Sequence, residues 1–350
     1  MHKKTQLIGL IRDSDHKIQP LFSDDSHFMS ERQGSWDAEI LINTNFEPDG
    51  VATCWEKRKR MVNVPLAVSE DLIRRVRYTE DYNHLPGDLK HIFMRDLLRT
   101  TSSNARSNYS VLMPSTSSDL YPEGRTGVLL CRGEPVIVNI KGKEFIVEIK
   151  GVGSPDGNNR KKEPMIREGY CGQSVERYGG FSAEKGSREF DNLLLLRGTR
   201  TFNEGNCPRA AVLYTFQNDV EYGEPKHRQD QAYLVRLVPS NVRASYNTNP
   251  AFPKHDHMKL AESVAKHYAE MMKVGLCHTA MHPENILFTG TRYVLTDMAD
   301  ARLCNEVEEF DSFLVEVLSL IEEVPGIPDA AVLHFYNTLR NELDVSQGQK

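Results

Sequence analysis

The spacing of apolar positions divides the chain into stretches of different character. Up to about Ser110, short helical patterns alternate with polar loops, and the clearest is DLKHIFMRDLLRT, where Leu89, Ile92, Phe93 and Leu97 share one helical face. The Ser, Thr and Asn clusters of TTSSNARSNYS (Thr100–Ser110) and PSTSSD then predict a linker, with a boundary near residue 120. Beyond it the period shortens to two. GVLL (Gly127–Leu130), VIVNIK (Val136–Lys141) and EFIVEIK (Glu144–Lys150) predict three strands, with a tight hairpin turn at Gly142-Lys143. After a glycine-rich polar segment, SREFDNLLLLRG predicts a helix capped by Ser187 and ended by Gly198. AAVLYTF (Ala210–Phe216) and AYLVRLV (Ala232–Val238) read as two further strands. MKLAESVAKHYAEMMKVG then sets Ala261, Val264, Ala265, Tyr268, Met271 and Met272 on one helical face and stops at Gly275. Helical segments around Glu306–Glu323 and Ala330–Leu343 follow.

Three strands, a helix and two strands are the order of the small lobe of a protein-kinase-like fold. The expected class is therefore α+β and two-lobed: a small lobe with a five-stranded antiparallel sheet and one helix, a mainly helical large lobe, and an N-terminal extension. In numbers this gives an accessory region 1–120, an N-lobe 121–240 and a shortened C-lobe 241–350. A net charge of -6 disfavours a general nucleic-acid binder, and 39% hydrophobic residues suffice for a sizeable core. Six cysteines without a CxxC pair predict reduced thiols and a cytoplasmic setting. The start, MHKKTQLIGLIRDSD, reaches Arg12 and Asp13 after a short apolar run, so no secretory signal is expected. No apolar run approaches the roughly 20 residues of a membrane span.

The residues needed for kinase-like chemistry recur at the right places. Such a site uses a lysine ending the third strand, a helix glutamate to orient it, a loop asparagine and a later aspartate that grip Mg²⁺. Lys150 ends the third predicted strand, Glu189 lies in the following helix, Asn285 follows Pro283-Glu284, and the strand YVLTD delivers Asp297. An amide oxygen and a carboxylate are hard ligands suited to Mg²⁺, with Mn²⁺ as a substitute. In CHTAMHPENILF, however, Ala280 stands where a kinase has the aspartate that receives the substrate proton, and Met298-Ala299 replace the residues after the metal aspartate. Glu284 is the nearest carboxylate in sequence able to act as general base. His278 is expected to brace the loop. His255-Asp256-His257 lacks a nearby third ligand and is not read as a metal site.

The stretches EIKGVG, GGFSAEKGSREF, LVRLVPSNVR and GLCHTAMHPEN, in this order, resemble the selenoprotein O family of protein-kinase-like adenylyltransferases. The resemblance covers roughly residues 125–305. It implies that Lys150 and Glu189 form the ion pair and that Arg236 and Arg243 contact phosphate. It further implies that Asn285 and Asp297 bind the metal, and that Glu284 stands at the acid/base position. The family binds ATP reversed relative to kinases and transfers AMP. SPDGNNRKKEP replaces the family's T-P-Y-S-R run, and the C-terminal Cys or selenocysteine pair has no counterpart here.

The residue chemistry fits that expectation. Arg236, Arg243 and Lys150 would clamp the γ-end of a triphosphate through charge-assisted contacts, directing attack to the α-phosphorus. Gly151, Gly153, Gly179 and Gly180 would let backbone N–H groups approach phosphate. The expected activity is Mg²⁺- and ATP-dependent AMP transfer to a protein or small-molecule acceptor, without nucleic-acid or membrane partners. The alternatives are a ligase working through an acyl-adenylate, a γ-phosphoryl kinase, and a nucleotide-binding scaffold without turnover.

Overall fold

The computed structural model describes residues 7–22, 73–87, 109–112, 126–131, 134–150, 181–216, 231–244, 256–280, 283–304, 321, 324 and 326–347. Strands β1 (Leu7–Arg12), β2 (Ile18–Phe22), β3 (Ile73–Tyr78) and β4 (Tyr109–Leu112) come first. They are followed by β5 (Thr126–Cys131), β6 (Glu134–Pro135), β7 (Ile137–Ile140) and β8 (Lys143–Lys150). Helices α1 (Ala183–Leu195) and α2 (Arg200–Asn203) precede β9 (Arg209–Phe216), β10 (Gln231–Val238) and α3 (His257–Lys273). The short strands β11 (Leu276–His278), β12 (Ile286–Phe288), β13 (Tyr293–Leu295) and β14 (Ala301–Leu303) lead to α4 (Asp329–Gln347). The chain is a mixed α+β protein that forms two compact units, one built from 33–187 and 209–237, the other from 1–32, 188–208 and 238–350.

The first unit is organised by one eight-stranded sheet in the order β3-β9-β10-β8-β5-β4, with β6 beside β5 and β7 beside β8. All five predicted strands form. β9 and β10 run antiparallel from Gln231 opposite Phe216 to Leu237 opposite Arg209, and β8 is antiparallel to both β5 and β7. The β7–β8 turn sits one residue earlier than expected: Lys141 and Gly142 both have positive φ. That pair of left-handed residues matches the twist of a two-residue hairpin, and the Asn139 side chain accepts the Gly142 N–H at 2.9 Å. The sheet also reaches back past the boundary expected at residue 120, because β3 pairs with β9 and β4 with β5. The predicted helix over 88–100 lies outside the described residues.

Helix α1 starts a turn before the predicted cap. Ser182, not Ser187, accepts the Lys185 N–H at 3.2 Å through its hydroxyl. Gly186 thus lies inside the helix, where a Cβ would sit 2.6 Å from the Ala232 Cβ and 3.3 Å from Leu213. Gly186→Ala should therefore destabilise: overpacking costs about 1–3 kcal/mol and better helix propensity returns about 1 kcal/mol. A lower urea midpoint at unchanged m-value is the expected result; a raised midpoint would contradict the close packing.

In the second unit α3 follows its predicted apolar face. Ala261, Val264, Ala265, Tyr268 and Met271 are buried, and Met272 is half-buried. Asp256 caps the helix by accepting the Lys259 N–H at 3.0 Å, which gives the His-Asp-His run a structural use. Gly275, with φ near +85°, ends it as expected. Helix α4 realises the segment predicted at Ala330–Leu343, whereas most of the segment predicted at Glu306–Glu323 lies outside the described residues.

One buried polar residue on α3 ties the unit together. His267 Nδ1 accepts the Leu295 N–H at 2.9 Å, and its Nε2 lies 3.2 Å from Cys207 Sγ. Burial, with His278 adding to it, pushes the His267 pKa from 6.5 down to about 3. The unfolded chain therefore binds a proton between those values that the folded chain refuses, and stability falls as pH drops from about 6.5 toward 3. One such proton contributes about 1.4 kcal/mol per pH unit. His267→Asn keeps an acceptor near Leu295 and is expected to flatten the loss of urea midpoint between pH 7 and pH 4; an unchanged slope would contradict this assignment.

Candidate functional site

The loop from Leu276 to Leu303 is two small hairpins nested one inside the other. The outer pair, β11 and β14, sets His278 opposite Ala301; the inner pair, β12 and β13, sets Ile286 opposite Leu295. Both inner strands are three-residue apolar runs that are fully buried, so their register is set by packing rather than length. The inner turn contains Gly290, with φ near +90°, where a Cβ would collide with the Arg12 carbonyl oxygen. The chain can close here only with glycine.

That inner hairpin delivers the two expected metal ligands together. One step beyond its register, the Asn285 carbonyl accepts the Thr296 N–H at 2.9 Å, and Asp297 is the next residue. The Asn285 side-chain Nδ2 donates to the Ala280 carbonyl at 2.8 Å, which fixes the amide's orientation with its oxygen as the acceptor end. Asp297 is half-buried and holds φ 59°, ψ 61°, in the left-handed region. A non-glycine residue there costs of order 1 kcal/mol, a cost concentrated at functional positions.

His278 pins the two hairpins to each other. It is fully buried; its Nδ1 accepts the Ala280 N–H at 3.2 Å, so Nε2 carries the proton and donates to the Thr296 carbonyl at 2.8 Å. The bracing role expected of it is thus visible atom by atom. Thr279 adds a second tie, its hydroxyl donating to the Asp300 carbonyl. Asn192 of α1 adds a third by donating to the carbonyls of Met298 and Ala301 at 2.8 and 3.0 Å. Thr279, Asn192 and Thr296 went unnoticed in the sequence because their partners are backbone carbonyls, which leave no residue-type signal.

The other expected residues fall elsewhere. Glu284 lies in the short 3-10 turn Pro283–Asn285, and its side chain is outside the described residues, as are Gly151, Gly153, Gly179 and Gly180. Arg243 is half-buried and forms an isolated β-bridge with Leu287. Glu189 is completely buried in α1. Lys150 ends β8 with 2% exposure, its ammonium 4.6 Å from the centroid of the Phe181 ring. Arg236 is 1% exposed and donates through Nη2 to Glu148 at 2.7 Å. Glu148 and Lys150 are two residues apart on β8 and share a face. Glu148 could have been found: EFIVEIK buries Glu148 as well as Lys150, AYLVRLV buries Arg236, and buried charges must pair with opposite ones.

The described residues contain no cluster of three or more His, Cys, Asp or Glu side chains able to hold a metal. Asn285 and Asp297 together still fit a hard cation such as Mg²⁺, which takes only one or two protein ligands when phosphate and water complete its shell.

No protein-family model and no curated protein sequence matches this chain. Among solved structures, one match is a Stt7 homolog from Micromonas algae soaked with ATP, at 11% identity and a TM-score of 0.30. The match covers 56% of this chain and 51% of that one, so the chain spans about half the length of that structure. Likeness at that level assigns neither a fold family nor an activity to this protein. No helix among the described residues is long and apolar enough to cross a membrane.

Proposed function

We propose that the protein is a Mg²⁺- and ATP-dependent transferase with kinase-like chemistry that moves AMP to a protein or small-molecule acceptor. The observation that supports this reading is the backbone hydrogen bond from Thr296 to Asn285, which puts Asp297 on the adjoining position of the hairpin, in the left-handed region. In this reading Asn285 Oδ1 and the Asp297 carboxylate hold the metal of Mg-ATP, which when bound neutralises phosphate charge. Lys150 orients phosphate, and Glu284 accepts the acceptor's proton. Ala280 offers no carboxylate at the loop position a kinase uses for that step, which favours AMP transfer over γ-phosphoryl transfer.

A scaffold reading without turnover draws on a different observation. Arg236, expected on phosphate, is committed to Glu148 in a buried ion pair, which leaves the phosphate clamp resting more heavily on Lys150 and Arg243. ATP labelled at either the α- or the γ-phosphate separates these readings. AMP transfer predicts retention of the α-label on an acceptor and release of pyrophosphate. Retention of the γ-label would establish a kinase instead, and bound nucleotide with neither label transferred would establish the scaffold. An α-label that leaves the acceptor when an amine is added would identify a ligase.

A further inference from the structure

Two thiols face each other beside the loop that carries Asn285 and Asp297. Cys277 is the middle residue of β11 and Cys304 follows the end of β14. The Cys304 N–H donates to the Gly275 carbonyl at 2.8 Å, extending the β11–β14 ladder past its last registered pair. Cys277 lies opposite Arg302, so Cys304 is its diagonal neighbour on the same face of the ribbon. Their sulfur atoms are 2.9 Å apart. Cys277 is fully buried, whereas Cys304 is partly exposed. None of the residues given roles in ATP chemistry above is a cysteine, so this pair has no task in that reading.

We propose that Cys277 and Cys304 form a peroxide-sensitive dithiol, in which Cys304 is the thiol that reacts first and Cys277 is the one that resolves it into a disulfide. Cys304, as its thiolate, attacks one oxygen of the peroxide; the O–O bond breaks, Cys304 becomes a sulfenic acid, and the departing hydroxide takes up the proton that the Cys304 thiol had released, giving one water. Cys277 sulfur then attacks the Cys304 sulfur, the S–O bond breaks, and hydroxide leaves with the Cys277 proton as a second water. The dithiol loses two electrons in all, and the peroxide is reduced to two waters. The order follows from exposure, because only Cys304 meets solvent. Burial, with the neighbouring Cys304 adding to it, pushes the Cys277 thiol upward, which keeps it protonated until an activated sulfur is presented to it.

Closing the bond demands little of the backbone, since the ladder already holds both residues on one face. The resulting covalent ring runs from Cys277 to Cys304 and encloses Ala280, Asn285 and Asp297. Cys277 is joined directly to His278, whose ring ties the hairpins together, so the cross-link acts on the residue that sets the loop's shape.

The full-length chain treated with a few equivalents of hydrogen peroxide, then alkylated and digested without reductant, tests this. The expected result is a disulfide-linked pair of peptides carrying Cys277 and Cys304, formed ahead of modification at the other cysteines and removed by dithiothreitol. In Cys277→Ser a sulfenic acid at Cys304 should persist long enough to be captured by dimedone. In Cys304→Ala, chosen because that position is partly exposed, Cys277 should stay unmodified under the same treatment. Cys304 passing to sulfinic acid in the parent chain without a cross-link would overturn the proposal. So would cysteines elsewhere reacting first while this pair stays reduced.

Discussion

Asp297→Gly is expected to lower ATP turnover below detection while leaving folding stability within about 1 kcal/mol of the parent, or above it. The two halves of this result have separate causes. Removing the carboxylate takes away one of only two protein ligands proposed for the metal, and the remaining amide of Asn285 cannot hold a divalent ion alone. The backbone at 297, however, sits at φ 59°, ψ 61°, where glycine is unstrained and aspartate is not. Relief of that strain, of order 1 kcal/mol, offsets the extra freedom glycine has in the unfolded chain. Label transfer from ATP measures the first effect and thermal unfolding the second. Full turnover in this variant would remove Asp297 from the site, and a large stability loss would show that the carboxylate holds the loop together.

Glu148→Ala should be the most damaging change in the sheet. Its partner Arg236 has a side-chain exposure of 2%, and Glu148 one of 5%, so deleting the carboxylate takes a charge partner from a guanidinium that stays out of water. Breaking one side of such a pair costs about 3–5 kcal/mol. Replacing both partners with apolar side chains of similar size, Glu148→Leu with Arg236→Met, should recover most of that loss, because neither member of the pair then leaves a charge buried. Urea denaturation of the two single variants and the double variant closes a double-mutant cycle. If the losses simply add, the pair does not act as a unit. The same set bears on ligand binding: Arg236→Met should weaken nucleotide binding in the folded double variant only where the arginine also reaches phosphate.

Local patterns announced the parts of this fold that local forces decide. The five strands and α3 could be read because their apolar positions recur at a steady period, and the adjacency of Asn285 and Asp297 because a single short hairpin joins them. Where a distant partner decided, the sequence misled. The pattern predicts that Ser187 caps α1, yet the helix runs back through Gly186, where Ala232 leaves no room for a Cβ. β3 reads IRRVRY and β4 lies within a serine-rich run, so neither announces a strand; their pairing capacity resides in β9 and β5. The Glu148–Arg236 pair spans 88 residues, and only the oddity of a charge in each apolar strand hinted at it. The thiol pair at 277 and 304 left even less trace, since its meaning depends on a register that three-residue strands do not encode visibly.

The interleaving of the two units shapes how the chain acquires its structure during synthesis. The unit that contains the nested hairpins takes its first strands from the start of the chain: Asn241 Oδ1 accepts the Leu10 N–H at 2.7 Å, and Arg12 donates to the Gly205 carbonyl at 2.6 Å. The Gly290 turn closes against the Arg12 carbonyl. Hairpin β1–β2 therefore leaves the ribosome more than 200 residues ahead of Asn241. At about 5–20 residues per second, it waits ten seconds or more for its partners. In that interval its Leu10, Ile11 and Ile18, buried in the finished unit, lack the cover that the chain from Asn241 onward brings to β1. The late-made loop is thus the keystone of a segment made more than 200 residues before it, and a nascent chain stalled before residue 241 presents that hairpin to whatever chaperone or neighbouring chain reaches it first.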